Sequence, residues 1–164
     1  MNYNKICLGI LLFLFVLASS AADSLDLLAP AGEKMVQSNL AFNRKTSPAI
    51  SWNLGQKSSF WLLPLQRDWS EYNPISFRIR SPQSHKAQFL LMLTANPKGS
   101  TGNYYYRKLE VSQKDWKMYT LPFSRLDVNR SPSGFSDIQN LIFHSKGWGL
   151  KNTPDTQLEI DSLK

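Results

Sequence analysis

The chain has 164 residues, 42% hydrophobic and 12% aromatic, which is too apolar for a disordered protein and long enough for one domain with its own core. Lys and Arg number 19 against 12 Asp and Glu, a formal charge of +7, and Cys7 is the single cysteine. Intramolecular disulfides and multi-cysteine metal sites are thereby excluded.

The first element is a leader. Met1 to Lys5 is short, polar and positive, Ile6 to Leu17 is an apolar run of 12 residues, and Ala18 to Ala22 is small. This three-part pattern predicts a secretory signal over residues 1–22. Twelve residues reach only about 18 Å as a helix, short of the roughly 30 Å hydrocarbon core, which argues against a membrane anchor. Cleavage would remove Cys7 and Lys5, leaving 142 residues, 18 basic and 12 acidic, with no thiol. The expected product is secreted or periplasmic, with no transmembrane segment in the mature chain.

Residues 23–164 read as a single domain. They show short alternating runs punctuated by Pro, Gly, Asn and Ser, the pattern of an antiparallel all-β fold. The predicted strands are Ala49 to Leu54, Ser58 to Leu63, Ile75 to Arg80, Ala87 to Thr94, Tyr104 to Val111, Lys117 to Pro122, Asn140 to Ser145 and Gln157 to Leu163. Period-2 alternation sets Phe77 and Ile79 on one face and Ser76, Arg78 and Arg80 on the other. In Ala87 to Thr94, Leu90 and Met92 make the face opposite Phe89, Leu91 and Leu93 apolar too. That predicts a central strand under a covered or grooved outer surface. In the last strand the apolar step from Ile160 to Leu163 is three rather than two, which predicts a bulge around Asp161-Ser162.

Four fragments carry a resemblance. Asp68-Trp69-Ser70-Glu71-Tyr72-Asn73-Pro74-Ile75-Ser76-Phe77, Trp116-Lys117-Met118-Tyr119-Thr120-Leu121-Pro122-Phe123, Ile138-Gln139-Asn140-Leu141-Ile142-Phe143 and Leu158-Glu159-Ile160-Asp161-Ser162-Leu163 stand in order over residues 68–163. They resemble the strand motifs of galactose-binding-like carbohydrate-binding modules, found as accessory or N-terminal parts of secreted polysaccharide lyases and glycoside hydrolases. The resemblance implies a two-sheet antiparallel β-sandwich, or jelly roll. It also implies that Trp69 and Trp116 are structural tryptophans plugging the sandwich, and that Asp161 holds a structural Ca²⁺ with ligands from around Asp26 or Glu33. No other cofactor is expected. Pairing of Asp161 with a basic residue at the bulge is the alternative.

A saccharide groove needs flat aromatic faces for sugar rings and planar polar forks for their substituents. Tyr104 and Tyr106 share a face by alternation, with Tyr105 opposite, and Trp61 alternates against Phe60 and Leu62. Arg78 and Arg80 offer guanidinium forks suited to carboxylate or sulfate. His144, alternating with Phe143, is expected to join that polar face, with Gln88 beside it. Trp148, between Gly147 and Gly149, reads as cover for a sandwich end.

The sequence therefore predicts a non-catalytic module that binds a polysaccharide, an acidic one where the two arginines take part, and tethers a carbohydrate-active enzyme to it. The alternatives are a small lyase or glycoside hydrolase on the same fold, the N-terminal piece of a larger carbohydrate-active enzyme, or a protein-interaction domain. Catalysis finds little support: His85 and His144 are far apart in sequence and no facing carboxylate pair stands out. A nucleic-acid partner is not expected, since the basic residues form no stripe or motif.

Overall fold

The computed structural model describes residues 49–56, 59–62, 67–83 and 86–164, with backbone alone at 60–62. The leader at 1–22, Asp26, Glu33 and His85 lie outside the described residues. Among the described residues nine strands form: β1 (Ile50–Asn53), β2 (Ser59–Leu62), β3 (Ile75–Arg80), β4 (Ala87–Thr94), β5 (Tyr104–Val111), β6 (Lys117–Leu121), β7 (Asp127–Asn129), β8 (Asn140–His144) and β9 (Gln157–Asp161). They make two antiparallel sheets, one of four strands in the order β1-β9-β3-β6 and one of five in the order β2-β8-β4-β5-β7. The eight predicted strands are all present. The ninth, β7, is a three-residue edge strand too short to show an alternation. No helix of the described residues is long and apolar enough to cross a membrane.

The alternation of β3 buries Ile75, Phe77 and Ile79, and that of β9 buries Leu158 and Ile160. These meet Phe89, Leu91 and Leu93 of β4 and Leu141 and Phe143 of β8 from the facing sheet. At the centre four rings interlock. Phe143 lies 5.8 Å from Phe89, 6.2 Å from Phe77 and 6.5 Å from Trp52, the last two edge to face. Edge-to-face packing of this kind adds to the burial term and fixes ring orientation.

One end is sealed by a column of rings in the sequence Trp69, Phe123, Phe135, Tyr105, with centroid spacings of 6.4, 4.4 and 4.3 Å. Trp69 is 3% exposed, the structural role the resemblance implied. The expected irregularity after Asp161 is also present. Ser162 adopts φ of 50°, Leu163 turns into the core, and pairing to β3 resumes as Ser76 and Lys164 exchange backbone hydrogen bonds of 2.8 and 3.0 Å.

Candidate functional site

The residues expected to line one groove fall on opposite sides of the sandwich. Arg78 and Arg80 project from the outer face of the four-stranded sheet. There Arg80 Nε donates to Glu159 Oε2 at 2.6 Å, and Arg78 Nη1 lies 3.7 Å from Asp161 Oδ2. Both guanidiniums also sit over the Trp116 ring, at 5.0 Å for Arg78 and 4.8 Å for Arg80. Trp116 is thus only partly buried and lies on the outer face, contrary to the expected plug. The reason is register: β3 pairs Ile79 with Lys117, so Trp116 falls beside Arg80 on the polar side. His144 and Gln88 do not join these arginines, because β8 and β4 belong to the other sheet.

Asp161 takes the alternative role weighed for it. Its Oδ1 accepts from the Ser162 amide at 2.5 Å and from the Ser162 hydroxyl at 3.2 Å, while Oδ2 faces Arg78. The residues expected to complete a Ca²⁺ site with Asp161, around Asp26 or Glu33, lie outside the described residues. Among the described residues no group of three or more His, Cys, Asp or Glu could hold a metal ion.

The other outer face has a different character. On the five-stranded sheet Leu90 and Met92 of β4 and Ile142 of β8 are buried although they point away from the core, and Tyr104, Tyr106 and Leu150 pack on them. The two-sided apolarity of β4 thus has its expected cause, a covered outer surface. Register sets Tyr106 opposite Met92 and Tyr104 opposite Thr94, while Tyr105 turns inward onto Phe135. His144 pairs with Leu90 and with Ser59 on this face. β2 pairs Trp61 with Ile142, which places that position in the same sheet; its side chain lies outside the described residues.

The cover is the loop between β8 and β9. Gly147, Trp148 and Gly149 have φ of 75°, 55° and 70°, three left-handed residues in succession. Glycine accepts this freely; a tryptophan bears a strain of order 1–2 kcal/mol. The result is that Trp148 lies 5.9 Å from the Tyr104 ring and 5.7 Å from the Tyr106 ring, at interplanar angles of 87° and 35°, yet remains 51% exposed. Tyr104 and Tyr106 are 5.8 Å apart.

Side chains hold the loop in place. Asn152 Nδ2 donates to the backbone oxygens of Gln88 at 2.7 Å and Ser145 at 2.9 Å, and its Oδ1 accepts from the Gln88 amide at 2.8 Å. The Lys151 amide donates to Gln88 Oε1 at 3.0 Å, and Lys108 Nζ donates to the Gly149 oxygen at 3.3 Å. Sequence reading named Tyr104, Tyr106 and His144 but assigned Trp148 to the sandwich end, and so missed its part in this patch. The signal was the glycine on either side of it, which permits a left-handed turn that lifts a ring clear of the sheet.

Burial sets the ionisation of the patch. It raises the Tyr104 hydroxyl above the usual phenol range, as does Tyr106, while Arg130 pulls it back. Burial lowers the His144 imidazole below its usual value, so the ring favours the neutral form. Glu110, on the same face, is lowered by hydrogen bonds from Gln88 and then Lys86. The patch is an apolar floor carrying three rings, bordered by a neutral imidazole and amide and hydroxyl groups. Such a surface can cover the apolar face of a flat ligand and hydrogen-bond its rim.

No protein-family model matches the chain, and no curated protein sequence does. Solved structures do. A family 11 carbohydrate-binding module from Clostridium thermocellum, in complex with a β-1,3-1,4-mixed-linked tetrasaccharide, is similar with a TM-score of 0.53 at 16% identity, over 70% of this chain and 72% of that one. A family 30 carbohydrate-binding module is similar with a TM-score of 0.52 at 15% identity, over 78% and 79%. The fold is that of β-sandwich carbohydrate-binding modules. It also matches part of a longer chain, PfGH50B, with a TM-score of 0.54 at 17% identity, over 79% of this chain and 22% of that one.

Proposed function

We propose that the chain is a secreted, non-catalytic carbohydrate-binding module that takes its polysaccharide on the outer face of the five-stranded sheet. One observation carries the reading: Trp148 is held half-exposed by a strained backbone, against Tyr104 and Tyr106, over a floor of Leu90, Met92 and Ile142. An aromatic surface of that kind on a sheet already covered needs a ligand to account for it. Sugar rings suit it, since their C–H faces pack on π-surfaces while their hydroxyls reach Gln88, Thr94, Asn140 and His144 around it. That two similar structures are carbohydrate-binding modules supports the reading.

Arg78 and Arg80 lie on the opposite sheet against Glu159, Asp161 and Trp116, so any preference for an acidic glycan must arise from cations of the tyrosine face itself. The physiological effect is tethering. A bound module holds a linked or partner enzyme at its polymer, and modest affinity suffices because the enzyme acts locally. Residues 1–22 supply the export this role requires.

The test is affinity electrophoresis of the purified protein through gels containing mixed-linkage β-glucan, agarose, xylan, pectin or alginate. Retardation by at least one polymer, lost on Trp148→Ala, is expected. Migration unchanged by every polymer would remove the proposal. Release of reducing ends or unsaturated uronates would replace it with an enzyme.

A further inference from the structure

We infer that Arg130 is an anion-recognising subsite at one end of the tyrosine patch, and that the sugar bound there carries a carboxylate or sulfate. The inference rests on the carbohydrate reading above and names the chemical class of its ligand.

Arg130 follows β7, whose last residue, Asn129, pairs with Tyr104. Its φ is 58°, an unusual conformation for a non-glycine residue. The neighbours on both sides enforce it. Asn129 Nδ2 donates to the Gly102 oxygen at 2.8 Å, and the Ser131 amide donates to Asn103 Oδ1 at 3.1 Å. Asn103 is itself buried and tied to Asn96 and Ser100. The guanidinium is then laid along the loop that enters β5. Nη1 donates to the Thr101 oxygen at 2.9 Å, and a Cβ on Gly102 would come within 3.1 Å of the same nitrogen. Gly102 is thus favoured by its φ of 74°, and a side chain there would press on the Arg130 guanidinium.

The charge placed there has no carboxylate partner among the described residues. Of the acids on or beside this face, Glu110 is paired with Lys86 at 3.1 Å and Asp127 with Arg107 at 3.5 Å. Arg130 nevertheless acts on the patch electrostatically, since it favours ionisation of the Tyr104 hydroxyl. The contrast with Arg78 and Arg80 is direct, since those two face Asp161 and Glu159 across the other sheet. One Nη1 hydrogen is spent on Thr101, and Arg130 is exposed, one residue beyond the Asn129 that pairs with Tyr104. A planar, pre-oriented fork of that kind matches a carboxylate or sulfate on a stacked sugar.

The experiment uses ligand pairs that differ in charge alone: polygalacturonate against its fully methyl-esterified form, and a sulfated galactan against its desulfated form. Dissociation constants are measured by calorimetry at two salt concentrations for wild type, Arg130→Met and Arg130→Lys. The expected result is about tenfold tighter binding of the charged member of one pair, the worth of one charge-assisted fork, weakening with salt. Arg130→Met should abolish that preference while leaving the neutral member within twofold, and Arg130→Lys should retain part of it. The pair that shows the effect identifies carboxylate or sulfate. Unchanged thermal midpoints exclude misfolding. Equal affinity for both members of each pair, or a preference surviving in Arg130→Met, overturns the inference and leaves the carbohydrate reading intact. If no glycan binds at all, both fall together.

Discussion

Removing the Trp148 side chain separates a binding surface from a structural one. A fully buried tryptophan covers roughly 150–250 Å². With Trp148 51% exposed, about 100 Å² of it remains available to a ligand. At about 25 cal/mol per Å² that area is worth at most about 2.5 kcal/mol, which corresponds to roughly a 70-fold change in Kd. Partial coverage by the ligand brings the expected loss for Trp148→Ala to between about tenfold and 70-fold. The folded state should lose a similar amount, about 2–3 kcal/mol, because the buried half of the ring covers a comparable area on Tyr104 and Tyr106 and alanine keeps the left-handed strain. Calorimetric titration with the polymer that retards the wild type, beside a thermal melt, reads both quantities. A variant that binds within twofold of wild type and melts normally would show that the patch is not the site. A variant that fails to fold would show that Trp148 belongs to the core.

Asn152→Asp keeps the acceptor for the Gln88 amide but strips donors from two backbone oxygens; a stability loss of about 1–3 kcal/mol and weaker glycan binding through a loosened Trp148 loop should appear in denaturant titration and calorimetry. Burial lowers His144, so the unfolded chain takes up that proton first as pH falls below the ordinary histidine value of about 6.5. Stability should therefore drop from there and level off below the folded-state value, and His144→Gln should flatten that segment of a pH series of melts. Arg78→Ala with Arg80→Ala should leave glycan binding unchanged, since both lie on the far sheet, and should cost little stability because their ion pairs are partly exposed; a loss of binding would return the site to the four-stranded sheet.

Short-range pattern carried some of this and not the rest. The period-2 code put Phe77 and Ile79 inside, put Tyr104 and Tyr106 together, and marked β4 as a strand with cover on both sides. It says which residues share a strand face but not which sheet that strand enters, because pairing is non-local. Arg78 and His144 were therefore expected on one surface and lie on two. Trp116 shows the same limit: its outward position depends on the β3–β6 register and on two guanidiniums from a distant strand. Trp148 and Arg130 sit in turns where no periodicity exists, and their placement comes from positive φ angles enforced by hydrogen bonds to other segments.

The path of the chain has a consequence for how the molecule comes into being. β9, the last of the described strands in chain order, lies between β1 and β3, so Ile50 meets Ile160 and Ile79 meets Ile160 from the other side. The four-stranded layer cannot assemble until residues 157–161 have been made. A nascent chain halted before Gln157 would leave β1 with no partner strand among the described residues. Folding should accordingly be a concerted and comparatively slow event, and removing residues 157–161 should do more damage than removing an equally long surface loop.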